Sequence, residues 1–508
     1  MGIRTGRDYL QSLRDGRRVM MDGRQVADVT RDPRFAAAAG TIAELLDMQH
    51  DPAHADALTF TSPTSGDLVG TSHMAPRTQA DLQKRRAGLK LWADATYGMM
   101  GRSPDFMNVM VAALGSAHGF FATARAEFGE NMCRYAEYCR ENDIVMTHVL
   151  VNPQVDRTRP VDKQEKDLAA KVVRETDAGI HISGARTVST LAAYANEVLV
   201  FPSTYLAPSP GAADYAFGCA LPVDAAGVTW ISRPALLPGA SGSFADFPLS
   251  NRMDESDAVV VFEDAFVPWE RVFMYRDVEA CNQVYPRAQS GPHTGTQSAV
   301  RALAKSEFML SLALTMAKST KIDEHLHVQG MLAEIMVFVE TLRSVITASE
   351  VNARLSPWGT LVPDANALWV VRMSFPKMFV RMQEIIQLLG ASGLVAVPSY
   401  AEARGASAHL VERFYQSANS DADRRIKLFR LAFDASISAF AGRQQLYERY
   451  YTGDPVRLGG TLFSIYDKKP HFERMEGILD DIGRRAAERD AVPRTDGGSH
   501  AAPGGPVL

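Results

Sequence analysis

The sequence is poor in the features that mark secreted, membrane-spanning and nucleic-acid-binding proteins. Its 508 residues include four cysteines, Cys133, Cys139, Cys219 and Cys281, without a CxxC pair, which is too few for a disulfide scaffold. Its apolar runs are interrupted by Gly, Ser and His and fall short of the roughly 20 residues that a membrane span needs. No apolar run precedes the first charges, and a net charge of −5 creates no field that attracts nucleic acid. These absences predict a cytoplasmic protein with buried thiols that binds neither membrane nor nucleic acid.

Motifs of several common enzyme classes are also absent. The chain contains no strand-linked GxGxxG, no GxxxxGK[ST], no HExxH and no GxSxG. Self-contained nicotinamide binding, P-loop hydrolysis, zinc proteolysis and α/β-hydrolase chemistry therefore lack their usual signatures. No metal site is predicted, because the spaced pair His325 and His327 is more typical of solvated side chains.

What the sequence does contain is a change of hydrophobic period along the chain. The dipeptide Asp22-Gly23 predicts a type I′ hairpin, which we expect to be an appendage of the fold. Apolar residues recur every three or four positions over residues 79–141 and again after 298, which predicts helices. Between 144 and 276 the period shortens toward two and turn residues multiply, which predicts short strands. This order excludes a doubly wound sheet and a TIM barrel, since both alternate strands with helices throughout.

Several segments resemble the oxygenase components of 4-hydroxyphenylacetate 3-monooxygenase and their relatives. The similarity is strongest at 101–108 and 147–157 and continues through 177–190, 248–255, 267–272, 390–394 and 440–448. It implies an α+β, acyl-CoA dehydrogenase-like fold that assembles as a homotetramer. The expected parts are an N-terminal helical domain with a short β-hairpin (1–143), a central β-barrel (144–285), a C-terminal four-helix bundle (286–490) and a disordered tail (491–508).

The same resemblance implies a flavin-dependent, two-component monooxygenase. Such enzymes receive reduced FAD from a separate NAD(P)H:flavin reductase, use O2, and hydroxylate a phenol ortho to its hydroxyl, which fits the missing nicotinamide motif. The phenol is 4-hydroxyphenylacetate, a tyrosine-like molecule or a carrier-tethered group. Two alternatives stay open: an acyl-CoA-acting dehydratase or dehydrogenase on the same fold, and a silent family member that only binds.

Two residues are the candidates for catalysis by resemblance. His148 is expected to act as the base at the phenol oxygen, because neutral imidazole accepts a proton near pH 7. Arg102 offers a permanent planar charge that suits a developing phenolate. The alternatives are a structural core histidine and an ion pair of Arg102 with Asp105, a residue that we interpret as a helix cap.

The remaining site residues are also assigned by resemblance. Phe106 stands where the hydroxyphenylacetate enzymes carry a tyrosine, so it offers a ring for stacking but no hydroxyl donor. Ser203 and Thr204 begin a Pro- and Gly-rich loop that is expected to cover the substrate, and His293 is a further candidate for substrate binding. The candidates for flavin binding are Asn152, Gln154, Arg157, Ser189, Thr190, Gly442 and Arg443.

Overall fold

In the computed structural model, which describes residues 2–153, 155–202, 205–237 and 243–491, helices dominate the first 143 residues. The helix α4 begins at a capping box, in which Thr78 and Asp81 satisfy each other's backbone N–H groups, and it buries Leu89 and Trp92 as the apolar spacing predicts. The helices of this part are α1 (Gly6–Ser12), α2 (Ala36–Asp47), α3 (Ala55–Leu58), α4 (Gln79–Ala95), α5 (Pro104–Ser116), α6 (His118–Phe121) and α7 (Ala126–Glu141).

Strands fill most of the middle of the chain. The strands are β1 (Val19–Met21), β2 (Arg24–Gln25), β3 (Thr59–Thr61), β4 (Leu68–Gly70), β5 (Met146–Val149), β6 (Lys171–Thr176), β7 (Gly179–Thr190), β8 (Glu197–Val200), β9 (Phe217–Pro222), β10 (Val228–Ser232), β11 (Asp257–Pro268), β12 (Val272–Tyr275), β13 (Arg354–Leu355) and β14 (Leu361–Val362). Two larger sheets have the strand orders β2-β1-β10-β11-β7-β6 and β12-β9-β8-β5, and two small sheets pair β3 with β4 and β13 with β14.

The expectation of a closed β-barrel is wrong for the part of the chain that the structure describes. The two larger sheets stay open, and beyond β5 the chain touches β7 through one isolated bridge, between Val151 and Thr187. Pro153 follows this bridge, and a proline has no N–H with which to extend a ladder. The contact between the sheets at this point is therefore made largely by side chains.

The N-terminal hairpin forms as the sequence predicts but is not an appendage. Asp22 and Gly23 both have positive φ, 52° and 75°, as a type I′ turn requires. However, β1 pairs in parallel with β10, with Val19 opposite Trp230. The hairpin therefore extends the central six-stranded sheet, so the chain before residue 144 contributes to it.

Long helices return after the sheets. The helices α10, α11 and α12 pack against one another, and α15 and α16 pack on α12. On α11 the predicted apolar positions are all buried: Leu332, Ile335, Val339, Leu342 and Ile346. The helices up to residue 450 are α8 (Pro248–Met253), α9 (Val278–Ala288), α10 (Ser290–Thr320), α11 (Leu326–Val351), α12 (Ala365–Gly390), α13 (Ser392–Val395), α14 (Ala408–Phe414), α15 (Ala422–Ser436) and α16 (Ala439–Tyr450).

Contacts between residues divide the chain into two units, with a boundary between Pro455 and Val456. Beyond the boundary the structure describes most of α17 (Pro455–Ile465) and α18 (Lys469–Asp490). The predicted disordered tail lies outside the described residues from position 492 onward. No helix in the described ranges has both the length and the apolar character that a bilayer crossing needs.

Candidate active site

The structure brings Arg102, Phe106 and His148 together in one stack. Arg102 lies two positions before the start of α5 and Phe106 lies in its first turn, and the guanidinium carbon sits 3.8 Å from the centre of the phenyl ring. The imidazole of His148, on β5, stacks with the same ring at 5.8 Å between centroids and 29° between planes. The two residues that the sequence assigned to catalysis are therefore joined through Phe106.

His148 is buried and carries no charge at neutral pH. It sits on β5, which pairs in parallel with β8 so that His148 lies opposite Leu199. Burial, and secondarily the positive charge of Arg102, lowers the pKa of His148 to about 3. A neutral imidazole of this kind has a lone pair with which to accept a proton or a hydrogen bond.

Arg102 is held without a carboxylate partner for its guanidinium among the described residues. Its backbone N–H donates to Glu255 Oε1 at 2.5 Å, and its Nη2 donates to the carbonyl of Tyr451 at 3.0 Å. The rings of Tyr447 and Tyr451 each lie 5.6 Å from the guanidinium carbon, whereas Nη1 is buried and has no partner. The alternative ion pair with Asp105 is absent here, so the Nη1 group of a buried cation remains available to a ligand.

Asp105 does not have the capping role that its sequence context suggested. Ser103 occupies the N-cap position of α5 and Pro104 the first helical position, so Asp105 falls inside the first turn. Its carboxylate accepts from Ser103 Oγ at 2.6 Å and, more weakly, from Gln297 Nε2 on α10. Complete burial raises the pKa of Asp105 to about 6, against the lowering effect of these hydrogen bonds.

His293 lies in a buried contact between α10 and α4. Its Nδ1 is 2.9 Å from Nη2 of Arg85, whose Nη1 donates to the carbonyl of Met74. Burial and this neighbouring cation hold the pKa of His293 well below its usual value. The geometry engages one nitrogen of His293 in the helix packing, and its role in substrate binding stays a prediction.

Three of the residues assigned to flavin binding belong to a polar cluster between the sheets and α16. Ser189 Oγ is 2.9 Å from Thr147 Oγ1, and Thr190 donates to Asp257 Oδ1 at 2.8 Å. Arg443 donates to Asp257 at 2.7 and 3.0 Å and also forms an ion pair with Glu255. Despite burial, Arg443 and the other neighbouring donors hold the pKa of Asp257 well below its usual range.

The other residues assigned to flavin binding either are exposed or have a polar atom without a hydrogen-bond partner. Asn152 Oδ1 is buried without a partner, and Arg157 is exposed in the loop after β5. Gly442 is exposed on α16, where an added Cβ would meet no atom within 4 Å. The predicted residues Gln154, Ser203 and Thr204 lie outside the described residues.

The described residues fit a flat ring with polar edges. The buried polar atoms without partners include Arg102 Nη1, Asn152 Oδ1 and Tyr447 Oη, which together offer two donor atoms and two acceptor atoms. The open space at Gly442 is compatible with close approach of such a ring to α16. No group of three His, Cys, Asp or Glu side chains suitable for a metal ion occurs within the described ranges.

The sequence reasoning missed the two tyrosines that flank Arg102. Tyr447 and Tyr451 lie one helical turn apart and stack at 5.3 Å. A Cβ at Gly101 would come within 2.2 Å of the Tyr447 ring, so a glycine is needed beside Arg102. The one-turn spacing of the tyrosines was visible in the sequence, but their distance of some 350 positions from Arg102 concealed the contact.

A buried ion cluster holds the C-terminal end of α16, where these tyrosines lie. Glu448, on α16 between them, accepts hydrogen bonds from Arg301 at 2.5 and 2.8 Å and from Lys305 at 2.5 Å. The two cations outweigh the effect of burial and lower the pKa of Glu448 to about 2. Because both cations belong to α10, the cluster fixes the register of α16 against that helix.

Helices that precede and follow two open sheets along the chain, with a cation and a neutral histidine stacked on one aromatic ring, form a mixed helix-and-sheet protein with a candidate enzyme site. Family models described as 4-hydroxyphenylacetate 3-hydroxylase N terminal and C terminal match residues 5–274 and 281–480. The chain therefore belongs to the 4-hydroxyphenylacetate 3-hydroxylase family, and the resemblance inferred from its motifs is confirmed.

Individual relatives agree with this assignment. The oxygenase component of 4-hydroxyphenylacetate 3-monooxygenase from Thermus thermophilus is 40% identical over 478 residues, which cover 94% of this chain and 97% of the relative. A crystal structure of such a component complexed with FAD and 4-hydroxyphenylacetate has a TM-score of 0.90 at 40% identity, covering 95% of this chain and 99% of the other. A 4-hydroxybutyryl-CoA dehydratase from N. maritimus, at 18% identity and a TM-score of 0.83, shares the fold.

Proposed function

We propose that this protein is the oxygenase component of a two-component monooxygenase, which uses reduced FAD and O2 to hydroxylate a phenolic substrate ortho to its hydroxyl. The observation that carries the proposal is the stack of Arg102, Phe106 and His148 with one unpaired N–H on Arg102. It occurs in a chain whose relative of known structure is complexed with FAD and 4-hydroxyphenylacetate. The substrates we expect are 4-hydroxyphenylacetate, a tyrosine-like molecule or a carrier-tethered phenol.

In this proposal, the chain's own residues prepare the phenol for attack on oxygen. The neutral imidazole of His148 accepts a hydrogen bond from the phenol, because its pKa of about 3 leaves the lone pair free at pH 7. It takes up the phenol proton only as the phenolate forms beside it, since the new negative charge and Arg102 then stabilise the ion pair. Arg102 Nη1 then donates to the phenolate oxygen, whose charge the guanidinium stabilises. Reduced FAD together with O2 supplies the electrophilic oxygen atom when bound. A phenolate ring is richer in electrons than a phenol ring, so this deprotonation favours ortho hydroxylation.

Phe106 contributes an apolar aromatic surface to this site. Its phenyl ring has no hydroxyl, so Arg102 and His148 are the polar groups of the stack that can contact the phenol oxygen. The ring keeps the guanidinium and the imidazole on fixed planes, and it offers an apolar surface to an aromatic substrate. We propose that Ser203, Thr204 and His293 complete the substrate pocket.

The flavin is proposed to lie between the sheets and α16. Asn152 Oδ1 is available to accept a hydrogen bond from the ring edge, and Gly442 leaves room for it on α16. Arg443 acts by orienting Glu255 and Asp257, because its guanidinium is already engaged in ion pairs with them. The full set of proposed flavin-binding residues is Asn152, Gln154, Arg157, Ser189, Thr190, Gly442 and Arg443.

We propose the organisation of the enzyme as follows. The missing nicotinamide motif supports a separate NAD(P)H:flavin reductase as the source of reduced FAD, and such a reductase suits a cytoplasmic enzyme. We propose a homotetramer, whose subunits comprise the domains 1–143, 144–285 and 286–490. The exposed apolar side chains of α11, including Met336 and Val337, support such an assembly.

The test supplies chemically reduced FAD, O2 and a panel of phenols to the purified protein. We expect a catechol from at least one phenol, identified by mass spectrometry, and no requirement for a CoA thioester. If every phenol is returned unchanged while the protein turns over CoA thioesters with oxidised FAD, the acyl-CoA alternative is correct. If reduced FAD is not bound at all, the monooxygenase proposal fails.

A further inference from the structure

A second buried arginine contacts the segment that follows His148 and has no compensating charge among the described residues. Arg186, on β7, is 2% exposed and forms no ion pair within the described residues. Its Nη1 donates to the carbonyl of Leu150 at 3.1 Å, and its Nε is buried with no partner. By contrast, the buried guanidiniums of Arg301 and Arg443 both face carboxylates. Burying a guanidinium without an anionic partner costs free energy of folding. A bound anion would offset this cost.

The backbone of β7 is distorted in a way that directs Arg186 to this position. Arg186 pairs with Val260 and Ser189 with Ala258, so two residues of β7 oppose Val259 in a β-bulge. One of the two residues opposite Val259 is Val188, which has a φ of 59°. The left-handed region is strained for a β-branched side chain, and such strain persists where function requires it. The bulge shifts the alternation of β7 so that Arg186 and Ser189 are both buried.

The described neighbours of Arg186 supply no negative charge, and the ring of Phe217 lies 5.7 Å from its guanidinium carbon. Cys219 on β9 and Cys281 on α9 lie close enough to interact with its charge, and burial raises the pKa of both thiols to about 12, so neither supplies a negative charge at neutral pH. The hydroxyl of Tyr285, also on α9, is buried without a partner and interacts with the same guanidinium. An unpaired N–H donor and an unpaired hydroxyl thus occur beside one uncompensated cation.

We propose that Arg186, assisted by Tyr285, binds an oxyanion, either the carboxylate of an acidic phenolic substrate or a phosphate of the flavin. This inference rests on the proposed function for its choice of ligands. The shared chemistry is a negatively charged oxygen that accepts from the guanidinium and from the phenolic hydroxyl.

The position along the chain favours the substrate carboxylate. Leu150, whose carbonyl contacts Arg186, lies two residues beyond His148, which is about 7 Å in extended backbone. The hydroxyl and carboxylate of a para-substituted phenolic acid are separated by a similar length. A phenol held by His148 and Arg102 at one end is therefore of suitable length for its acidic end to reach Arg186, which would select free phenolic acids over neutral phenols.

The test measures binding in the absence of turnover, using Arg186→Met in the full-length protein. Titration calorimetry is carried out with 4-hydroxyphenylacetate, with the neutral analogue p-cresol and with FAD. We expect the variant to weaken 4-hydroxyphenylacetate binding by about 30-fold or more, because truncation removes a buried charge partner. The affinities for p-cresol and FAD should stay unchanged, and Arg186→Lys should recover part of the lost affinity.

The control variant is Arg174→Met, which removes an exposed arginine from the adjacent strand β6 and should leave all three affinities unchanged. If Arg186→Met instead weakens FAD binding alone, the oxyanion is the flavin phosphate. If the variant keeps its thermal melting temperature and all three affinities, or weakens p-cresol as much as the acid, the proposal is overturned. Failure of the wild type to hydroxylate any phenol refutes the proposed function. The binding results for Arg186→Met test only whether Arg186 binds an oxyanion.

Discussion

The imidazole of His148 is the side chain on which the proposed chemistry depends most directly. We expect His148→Gln to lower kcat/KM by about 100-fold or more, because an amide accepts a hydrogen bond but does not take up a proton. Reduced-FAD binding should be unaffected. Since the pKa of His148 is about 3, the wild type should show no loss of activity from its protonation between pH 8 and 5. Steady-state rates at several pH values check both statements.

The matched control for this variant is His409→Gln, which changes an exposed histidine on α14. It should leave kcat/KM at the wild-type value. A His148→Gln enzyme that retains more than a tenth of the wild-type activity would show that phenol deprotonation has another source.

Asp105 offers a test at the level of stability. Its pKa is about 6 in the folded protein and near 3.8 when unfolded, so folding favours the protonated form. The stabilisation is fully present below the unfolded pKa and is lost as pH rises through about 6. Asp105→Asn imitates the protonated form, and we expect it to stabilise the protein by about 3 kcal/mol at pH 8 and by little at pH 4. Thermal melting at both pH values measures this, and an equal effect at both would contradict the burial argument.

Turns and helices, which contiguous residues specify, are predicted better from the sequence than contacts between segments that are far apart in the chain. The Asp22-Gly23 turn was predicted from two residues, but its strand β1 pairs with β10, some 200 positions away. Similarly, Arg102 and His148 belong to local motifs that the sequence displays, whereas the Tyr451 carbonyl that holds Arg102 comes from the residue that caps the end of α16. The open sheets were missed for a related reason, because barrel closure depends on pairings between strand edges and is not encoded in any one strand.

The proposed role of Gly442, on helix α16, can be tested by substitution. Gly442 has no neighbour within 4 Å for an added Cβ, and alanine is about 1 kcal/mol better than glycine in a helix. We expect Gly442→Ala to raise the melting temperature of the flavin-free protein while weakening FAD binding, because the methyl group occupies space proposed for the ring. Thermal melting and fluorescence titration with FAD check the two effects. Unchanged FAD affinity would remove Gly442 from the flavin site.

In the first unit, buried ion pairs link the helices and sheets around the site. Glu448 with Arg301 and Lys305 joins α16 to α10, and Arg443 with Asp257 joins α16 to β11. Breaking such a buried pair leaves an uncompensated charge, at a cost of about 3–5 kcal/mol. The bundle and the sheets are therefore fixed against each other where Arg102 lies between them, and the site is a property of the assembled unit.

The proposed homotetramer can be tested by substitution on the exposed face of α11. Val337 on α11 is 61% exposed and Met336 beside it is 41% exposed, which is unfavourable for a face left in water. We expect the wild type to have four times the chain mass of 55.6 kDa by sedimentation velocity, and Val337→Asp to reduce it, because burying a new carboxylate at an apolar interface is costly. The matched control is Val173→Asp, at an exposed valine of β6, which should leave the mass unchanged. A Val337→Asp protein that remains a tetramer would exclude this face of α11 from the interface, and a monomeric wild type would refute the homotetramer itself.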